Sequence, residues 1–593
     1  MNTVYRLFSE LISSSIEKLS IILIRVTLAF FVLSISSATA QVYVGSRGSV
    51  YDDPANGIYV SQNGNDATAT GTKDKPYKSI NTALNAAIKD ALPNATIILR
   101  DGTYQEQRDV RVRMSNVTIK SAKGEWAVID LTVFDLEHNE DSGVLFYAED
   151  AITGGIVTDC KLQSVEVKGG FYTVCCETKW DWGQAERKGA SNIIIEDCLL
   201  HHSTNDAVKV KPGCENITIR YNEIHNSGQA YAHLPDFNTG EHNAEGIDNV
   251  NGNNMHVHNN YIHDLCSTGI YAKGGATDVI IENNIVERAY AGGIMVGFDT
   301  SPSYFDTDVN PQYYENIRGT VRNNLVIDAG WEGIGLYASK DAQVYNNTVV
   351  NAVSGPLKYH SPIYFGVATQ DWDNPEGCPP NINPNIHHNL ISQPTTYTNR
   401  MIDIRYVAIG DVYPSRDIPS LDGNPTMNNN CYYVVGKSAT FTDNRPPAVT
   451  NMGLSEWKTH ISGENESIEV DPILDATYMP TNSQCNGMGI LSPFIINTPT
   501  GIAENQYITS IQVYPNPTTG ELWVDCKDAR PCVSTITNIE IFDIYGKNLT
   551  PFTSYLLPHT PTPSLDISHL QTGIYFLKIK TETGVETKKI IKL

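Results

Sequence analysis

Side chains suited to acid–base chemistry are concentrated between positions 206 and 273 of the sequence. Three carboxylates in this stretch offer the oxygen ligands that calcium prefers, and they are Asp206, Glu245 and Asp248. The basic side chains that could abstract or return a proton are Lys209, Lys211, His225, His263 and Lys273. A lysine acts as a base only when its pKa is lowered, and a neighbouring cation or removal from water would lower it. We therefore predict catalytic roles for these five residues and calcium as the candidate cofactor.

A long insertion, residues 228–245, lies within the same stretch and reads GQAYAHLPDFNTGEHNAE. Long loops on rigid scaffolds often carry binding residues. We therefore predict that His233 and His242 of this loop, together with Tyr271, contact a substrate. The alternative is structural, with the histidines stacked on the surface by hydrogen bonds and the loop side chains packing the loop down.

These residues recur in step with an internal repeat. Its marker is a polar pair followed by apolar residues, as in VHNNYIHD and IENNIVER. The second residues of the pairs are Cys198, Asn222, Asn260, Asn284, Asn324, Asn347 and Asn389, separated by 24, 38, 24, 40, 23 and 42 positions. The shortest steps define a unit of 23–24 residues, and the longer ones are that unit with insertions.

Short alternating segments within each unit predict three strands per repeat rather than helices. Three short strands in about 23 residues, joined by Asn, Gly and Asp turns, indicate an all-β, right-handed parallel β-helix. Apolar residues of successive units should point inward, among them Leu200, Ile224, Ile262, Val286, Val326 and Val349, and also Val208, Ile247, Ile270, Ile294 and Ile334.

A second marker sets the register of the outward positions. It is a small residue or proline at Ala207, Gly246, Gly269, Gly293, Gly333 and Pro356. Two residues later come Lys209, Asp248, Tyr271, Met295, Gly335 and Lys358, and four residues later come Lys211, Val250, Lys273, Gly297, Tyr337 and His360. Three residues after the first marker, His201, His225 and His263 form a separate predicted ladder.

The N-terminal end of such a solenoid needs a cap. In KSINTALNAAIKDAL, one helical face carries Ile80, Ala83, Leu84, Ala87 and Ile88. Residues 58–106, which include this helix, resemble the start of many extracellular β-helix polysaccharide lyases and related glycosidases. That resemblance implies a β-helix fold and a similarity to enzymes that act on polysaccharides.

The first 40 residues have the pattern of a secretory signal. Lys18 and Arg25 precede an apolar run that ends in Ala38-Thr39-Ala40, so we predict cleavage before Gln41. No later segment is apolar enough to span a membrane, so the mature chain should lack a transmembrane segment. The formal net charge of −24 argues against a nucleic-acid partner. We expect residues 41–494 to form the β-helix and the protein to be a monomer.

The C-terminal part differs in character. Residues 495–508 are a polar linker, and residues 509–593 predict a small β-sandwich. YPNP at 514–517, GIYFLKI at 573–579 and the terminal KKIIKL resemble the C-terminal sorting domain of type IX secretion. The resemblance implies export through the type IX machinery, followed by release or attachment at the cell surface. The alternative is a carbohydrate-binding sandwich.

The segment DFNTGEHNAEGIDN partly resembles the calcium-ligand segment of family nine pectate lyases. Glu245 stands where that family has an aspartate, and CSTGIY in the next unit lacks its paired aspartates. We predict a secreted polysaccharide lyase that cleaves an acidic, uronate-containing glycan by β-elimination. Two alternatives stay open: a β-helix glycoside hydrolase that uses paired carboxylates, such as Asp206 with Glu245 or Asp248, and a non-catalytic glycan-binding protein or adhesin.

Overall fold

A computed structural model describes the greater part of the chain. The described residues are 41–106, 109–132, 142–180, 186–228, 244–355, 359–368, 379–394, 397–408 and 417–497, followed by 511–514, 518–519, 521–526, 536–542, 549, 564–568, 570–581 and 584–593. The predicted signal segment, most of the predicted linker, and His233, His242 and Lys358 lie outside these residues.

Three sheets of twelve strands each form a solenoid, in which each complete coil contributes one strand to each sheet. We number the sheets in the order in which the chain visits them within a coil. Sheet 1 contains Ile58–Val60, Thr96–Leu99, Thr118–Ser121, Lys161–Gln163, Ile194–Glu196, Thr218–Arg220, His256–His258, Ile280–Glu282, Thr320–Arg322, Gln343–Tyr345, Asn385–His387 and Thr426–Asn428. Sheet 2 contains Gly102–Tyr104, Ala127–Leu131, Glu166–Gly169, Leu199–His201, Glu223–His225, Tyr261–Leu265, Ile285–Ala289, Leu325–Ile327, Thr348–Val350, Leu390–Gln393, Cys431–Val434 and Ile468–Glu469.

Sheet 3 positions the predicted site. It contains Val110–Val112, Val144–Phe146, Val174–Cys176, Val208–Val210, Ile247–Val250, Ile270–Lys273, Ile294–Val296, Ile334–Tyr337, Ile363–Gly366, Arg400–Ile404, Thr440–Asp443 and Val449–Met452. The strands of all three sheets pair in parallel, except that Val449–Met452 is antiparallel to its neighbour. These sheets confirm the predicted right-handed parallel β-helix.

Apolar ladders fill the interior of the helix as predicted. Leu200 pairs with Ile224 and Ile224 with Ile262 in sheet 2, while Val208 pairs with Ile247 in sheet 3. All five side chains are fully buried in one continuous core. Equivalent positions on successive coils must stack at the spacing of neighbouring strands, so an apolar position in the repeat becomes an apolar column.

The polar pair of the repeat forms the corner between sheets 1 and 2. Its first residue takes a left-handed backbone conformation, with φ of 57° at Asn259 and 50° at Asn323, which asparagine tolerates better than most residues. Its second residue belongs to a buried ladder that comprises Asn222, Asn260, Asn284, Asn324, Asn347, Asn389 and Asn430. Within the ladder each amide Nδ2 donates to the Oδ1 of the next rung at 2.9–3.1 Å.

Both ends of the β-helix are covered by helices. Helix α1, Ile80–Lys89, begins at Ser79, whose Oγ accepts from the Thr82 amide, and it buries Ile80, Ala83, Leu84 and Ala87 as predicted. Helix α2, Leu454–Ile461, lies at the other end and buries Trp457, whose ring stacks on Phe441 at 5.4 Å between centroids. Two 3₁₀ turns, Pro302–Tyr304 and Ser483–Cys485, complete the helical elements of the described residues.

The predicted register fails after residue 350. Ile334 pairs with Ile363, and its amide donates to the carbonyl of Pro362, so Pro362 rather than Pro356 follows Gly333 in the ladder. Tyr364, not Lys358, therefore lies beside Gly335. The reason is an insertion between sheets 2 and 3 in this coil, which a fixed offset from the asparagine marker does not allow for.

Both ends of the β-helix region meet along the corner between sheets 1 and 2. Val42–Val44 pairs in parallel with Phe494–Ile496. Arg47 forms an ion pair of 2.6 Å with Asp197, and the Leu491 amide donates to Asn323 Oδ1 at 2.7 Å. We call residues 42–49 and 487–497 the terminal strap.

Four shorter strand groups complete the part of the chain that the structure describes. Ala276–Thr277, Asn316–Ile317 and Ser339–Lys340 form a small parallel sheet, and Tyr406–Val407 pairs with Ile418–Pro419. In the C-terminal region, two antiparallel sheets contain Ile511–Tyr514, Glu521–Cys526 and Ser564–Asp566, and Ile536–Phe542, Gly573–Thr581 and Gly584–Lys592. Leu522, Ile541, Leu577 and Ile590 are buried in a core of their own, as the predicted β-sandwich requires.

Candidate functional site

The outward face of sheet 3 brings the predicted polar residues together. Lys209 pairs with Asp248, and Asp248 pairs with Tyr271, so the three side chains lie on successive coils. Asp206 and Glu245 precede their strands by two residues and occupy equivalent places on the turn from sheet 2. The Glu245 amide donates to Asp206 Oδ1 at 3.0 Å, which fixes the two turns against each other.

Asp206, Glu245 and Asp248 form a buried acidic cluster. One carboxylate oxygen of each lies within 4.8 Å of the others. Lys209 Nζ donates to Asp206 Oδ2 at 3.2 Å and also bonds Asp248 Oδ2. Ser267 Oγ donates to Glu245 Oε1 at 2.8 Å. Glu245 Oε2 and Asp248 Oδ1 are buried and accept no hydrogen bond from the residues that the structure describes. A set of buried carboxylates with two such oxygens is chemically suited to a hard divalent cation.

The charges of the cluster separate its carboxyl pKa values. Burial, followed by the proximity of Asp206, raises the pKa of Glu245 well above its ordinary value. Burial acts in the same direction on Asp248, but Lys209 and Lys273 outweigh it and lower the pKa of that carboxyl. The cluster therefore combines one carboxyl that favours its protonated form with one that favours its ionised form.

Lys273 lies beside this cluster without a direct ion pair to it among the described residues. Its Nζ lies 4.6 Å from the ring centroid of Tyr271 and 5.8 Å from that of Phe298. Burial acts to lower the pKa of Lys273, but Asp248 and Glu245 outweigh it and raise it. The ammonium thus lies over aromatic rings, within reach of the field of the carboxylates.

The turn that follows Lys273 is held by a buried carboxyl, Glu315. Its Oε2 accepts from the Gly274 amide and from Thr300 Oγ1, both at 2.7 Å. Burial raises the pKa of Glu315 to about 8. Glu315 was not among the residues predicted from the sequence, because it lies in a further insertion of the repeat, between Ile294–Val296 and Thr320–Arg322, where no repeat marker assigns a direction to its side chain.

Lys209 and Lys211 have strong carboxylate partners. Burial acts to lower the pKa of Lys209, but Asp248 and Asp206 outweigh burial and raise that pKa well above its ordinary value. Lys211 Nζ donates to both carboxylate oxygens of Glu177 at 2.9 and 3.0 Å. Both lysines are therefore placed to hold carboxylates in position.

The histidine ladder is present, but on sheet 2 rather than sheet 3. The rings of His201 and His225 stack at 4.9 Å between centroids, and those of His225 and His263 at 5.1 Å. His263 lies between Asp264, at 2.7 Å from Nδ1, and Glu223, at 3.3 Å from Nε2. Burial and the neighbouring histidines lower the pKa of His225 well below its ordinary value. Burial also acts to lower the pKa of His263, but bonds to Asp264 and Glu223 raise it.

A second polar group lies further along the outer face of sheet 3. His360 Nδ1 is 2.6 Å from Glu332 Oε2, and Tyr337 Oη donates to Glu332 Oε1 at 2.7 Å. The Trp331 ring stacks on His360 at 5.1 Å. Glu332 precedes Gly333 as Glu245 precedes Gly246, so the repeat did signal its position. The predicted register placed His360 at the wrong position, so the sequence did not predict the contact between Glu332 and His360.

Two family models match the chain. Residues 117–368 match the right handed beta helix region, and residues 512–593 match the secretion system C-terminal sorting domain. The sorting domain confirms type IX export to the cell surface or the medium. No helix among the described residues is long and apolar enough to cross a membrane. Among curated proteins, none matches the chain.

Several solved structures share the fold at low similarity. The pectate lyase Pel9A is 14% identical, covers 60% of this chain and 79% of its own, and gives a TM-score of 0.36. The A-module of the mannuronan C-5 epimerase AlgE4 from Azotobacter vinelandii is 14% identical, with coverages of 65% and 94% and a TM-score of 0.33. PfbA, a surface adhesin of Streptococcus pneumoniae, is 11% identical, with coverages of 68% and 90% and a TM-score of 0.37. Two enzymes and an adhesin at this level of similarity do not distinguish among activities.

Proposed function

We propose that the exported protein is a polysaccharide lyase that cleaves an acidic, uronate-containing glycan by β-elimination. The observation that carries the proposal is the placement of Lys273 beside the buried cluster of Asp206, Glu245 and Asp248, on adjacent coils of one sheet face. Such a lyase must neutralise the negative charge of the uronate carboxylate, remove the proton from C5 and protonate the leaving O4.

In this proposal Lys273 is the base. Its neutral amine takes the C5 proton, the electron pair of the C5–H bond forms the C4–C5 double bond, and the C4–O4 bond breaks with its electron pair left on O4, which takes a proton from water. Tyr271 lies beneath the amine, but its ring is buried and stacks on Phe298, so the predicted contact of Tyr271 with a sugar would act through the position of Lys273. Lys209 fixes Asp206 and Asp248 through its two bonds, so those carboxylates need little reorganisation on binding.

Asp206, Glu245 and Asp248 are the proposed cation ligands, with calcium as the candidate. A divalent cation held there would neutralise the substrate carboxylate and offset the negative charge that raises the pKa of Lys273. Glu245 Oε2 and Asp248 Oδ1, which have no hydrogen-bond partner within the described part of the chain, are the oxygens available for it. Burial and Asp206 raise the pKa of Glu245, and a bound cation would act against that rise and promote loss of the proton.

A direct assay tests the proposal. The protein is incubated with pectin, alginate, ulvan and glycosaminoglycans, with and without EDTA. Products with new unsaturated, ultraviolet-absorbing ends would support a lyase, and loss of turnover in EDTA with recovery on adding calcium would support the cation site. New reducing ends without that absorbance would contradict the proposal in favour of hydrolysis.

A hydrolase is the second candidate, because the carboxyl pKa values are driven apart as an acid and a nucleophile or base require. The distance between the carboxyl groups limits which type of hydrolase is feasible. Inverting glycosidases separate their carboxyls by about 6.5–9.5 Å and retaining ones by about 5–5.5 Å. The carboxylate oxygens here, within 4.8 Å of one another, lie closer to the retaining arrangement. Binding of a glycan without either product would instead support a binding protein or adhesin.

A further inference from the structure

Two cysteines that are distant in the sequence meet outside sheet 2. Cys431 Sγ and Cys485 Sγ are 3.3 Å apart, and both side chains are fully buried. This separation is a contact between two thiols rather than a covalent bond, but it requires only a small movement to become one. The cysteines are 54 positions apart.

The fold holds each cysteine in a defined element. Cys431 begins a sheet 2 strand between Leu390 and Ile468, and its side chain lies in an apolar cluster outside the main core. Cys485 ends the 3₁₀ turn Ser483–Cys485, where Asn482 caps the turn by accepting from the Gln484 amide. Met488 packs in the same cluster. The segment around Cys485 thus covers the outer face of the last coils.

We propose that Cys431 and Cys485 form a disulfide in the exported protein. The proposal rests on the contact between the sulfurs and on the sorting domain, which directs the chain into an oxidising compartment. Two S–H bonds break and one S–S bond forms, with release of two protons. The two electrons and the two protons pass to the disulfide of a thiol–disulfide exchange protein, which becomes a dithiol.

The surroundings determine when this bond can form. Burial raises the pKa of both thiols, so little thiolate is present once the segment around Cys485 has closed. Since the thiolate is the attacking species, oxidation should occur during folding rather than afterwards. The same burial then shields the bond from reductants.

The bond would fasten the terminal strap. From Cys485 the chain continues through Gly489, whose amide donates to the His388 carbonyl at 2.7 Å, to the strand Phe494–Ile496. A covalent link at Cys485 anchors this segment a few residues before it pairs with Val42–Val44. The proposed role is therefore to keep the cover of sheet 2 and the paired termini closed outside the cell.

Peptide mapping tests the proposal on the full chain secreted from cells. The protein is denatured without reductant, its free thiols are alkylated, and the digest is analysed by mass spectrometry. We expect one peptide pair that joins Cys431 to Cys485, while Cys160, Cys198 and Cys214 are alkylated. Recovery of alkylated Cys431 and Cys485, or of either cysteine in another pairing, would overturn the proposal.

A thermal comparison gives an independent readout. The double variant Cys431→Ser, Cys485→Ser should have a Tm about 5 °C below that of the wild type. Refolding in dithiothreitol should lower the wild-type Tm to that of the double variant and leave the variant unchanged. A wild-type Tm that does not respond to the reductant would contradict the proposal.

Discussion

At the scale of residues, the structure separates lysines that look equivalent in the sequence. Lys209 and Lys273 occur at outward positions of nearby coils, yet Lys209 bonds two carboxylates while Lys273 lies over aromatic rings. The difference follows from a two-residue difference in register, since Lys209 pairs with Asp248 but Lys273 pairs with Val250. Among the residues described by the structure Lys273 has no direct carboxylate partner, which is why it is the lysine that we propose as the base.

Replacing Lys273 tests this assignment. We expect Lys273→Ala to lower kcat by about 10²–10⁴-fold, the usual contribution of a general base. The matched control is Lys340→Ala, since Lys340 Nζ also lies over an aromatic ring, 5.4 Å from the Tyr314 centroid, but outside the cluster. The control should keep full activity, and both variants should keep the wild-type Tm. If Lys273→Ala turned over the glycan at the wild-type rate, Lys273 would not be the base.

Glu315 gives a prediction for pH dependence. Its pKa is raised from an ordinary 4.5 to about 8, so the folded state holds a proton that the unfolded state loses first. Its contribution to stability is full below about pH 4.5 and is lost as the pH rises to about 8, at about 1.4 kcal/mol per pH unit. Glu315→Gln retains an acceptor for the Gly274 amide but cannot ionise. Its unfolding free energy, measured in urea, should therefore fall less steeply than that of the wild type. Parallel pH profiles would contradict the raised pKa.

At the scale of elements, the asparagine ladder explains why the repeat is easy to recognise in the sequence. Each rung satisfies backbone and side-chain groups of the rung before it, so one residue type recurs wherever the corner recurs. Asn284 Oδ1, for example, accepts from both the amide and the Nδ2 of Asn260 at 3.0 and 2.9 Å. Removing one rung leaves buried donors of its neighbour unpaired.

We therefore expect Asn284→Ala to lower the unfolding free energy by about 1–3 kcal/mol, the cost of leaving buried polar groups unsatisfied. Asn385→Ala is the control, because Asn385 is only half-buried and bonds one side chain, Gln343, at 2.8 Å. The control should lose less than about 0.5 kcal/mol. Chemical denaturation of both variants checks the difference, and equal losses would show that the ladder is not specially stabilising.

The sequence predicted those elements that repeat and missed those that do not. The inward columns and the outward placement of Lys209, Asp248 and Tyr271 followed from period and offset, because stacking makes equivalent positions neighbours. Helix α1 lies outside the repeat and was predicted from its apolar face alone. The pair of Glu332 and His360 did not follow, because an unmarked insertion shifted the register. Nor did the approach of Cys431 to Cys485, because the segment around Cys485 lies after the last repeat.

At the scale of the whole molecule, the terminal strap closes the chain on itself. Val44 is fully buried against Ile285, Leu325 and Phe494, so the strap covers an apolar part of the outer face of sheet 2. The strand Phe494–Ile496 also crosses the boundary predicted after residue 494. A sorting domain removed after residue 497 would leave the strap intact, whereas removal before residue 494 would not.

Two truncated proteins test the role of the strap, both beginning at residue 41 and ending at residue 493 or 497. The longer one retains Phe494 and Asn497, whose amide donates to the Val44 carbonyl at 2.8 Å. The shorter one exposes Val44 and loses a buried phenylalanine, a change that costs about 3–5 kcal/mol in protein cores. We expect it to have a lower denaturation midpoint and faster amide exchange at residues 42–47, while the longer protein matches the full chain at those amides.

Val44→Asp in the full chain should reproduce the faster exchange, because it buries a carboxylate against the same apolar side chains. Identical midpoints and exchange rates for the two truncated proteins would mean that the pairing of the termini adds no stability to the β-helix.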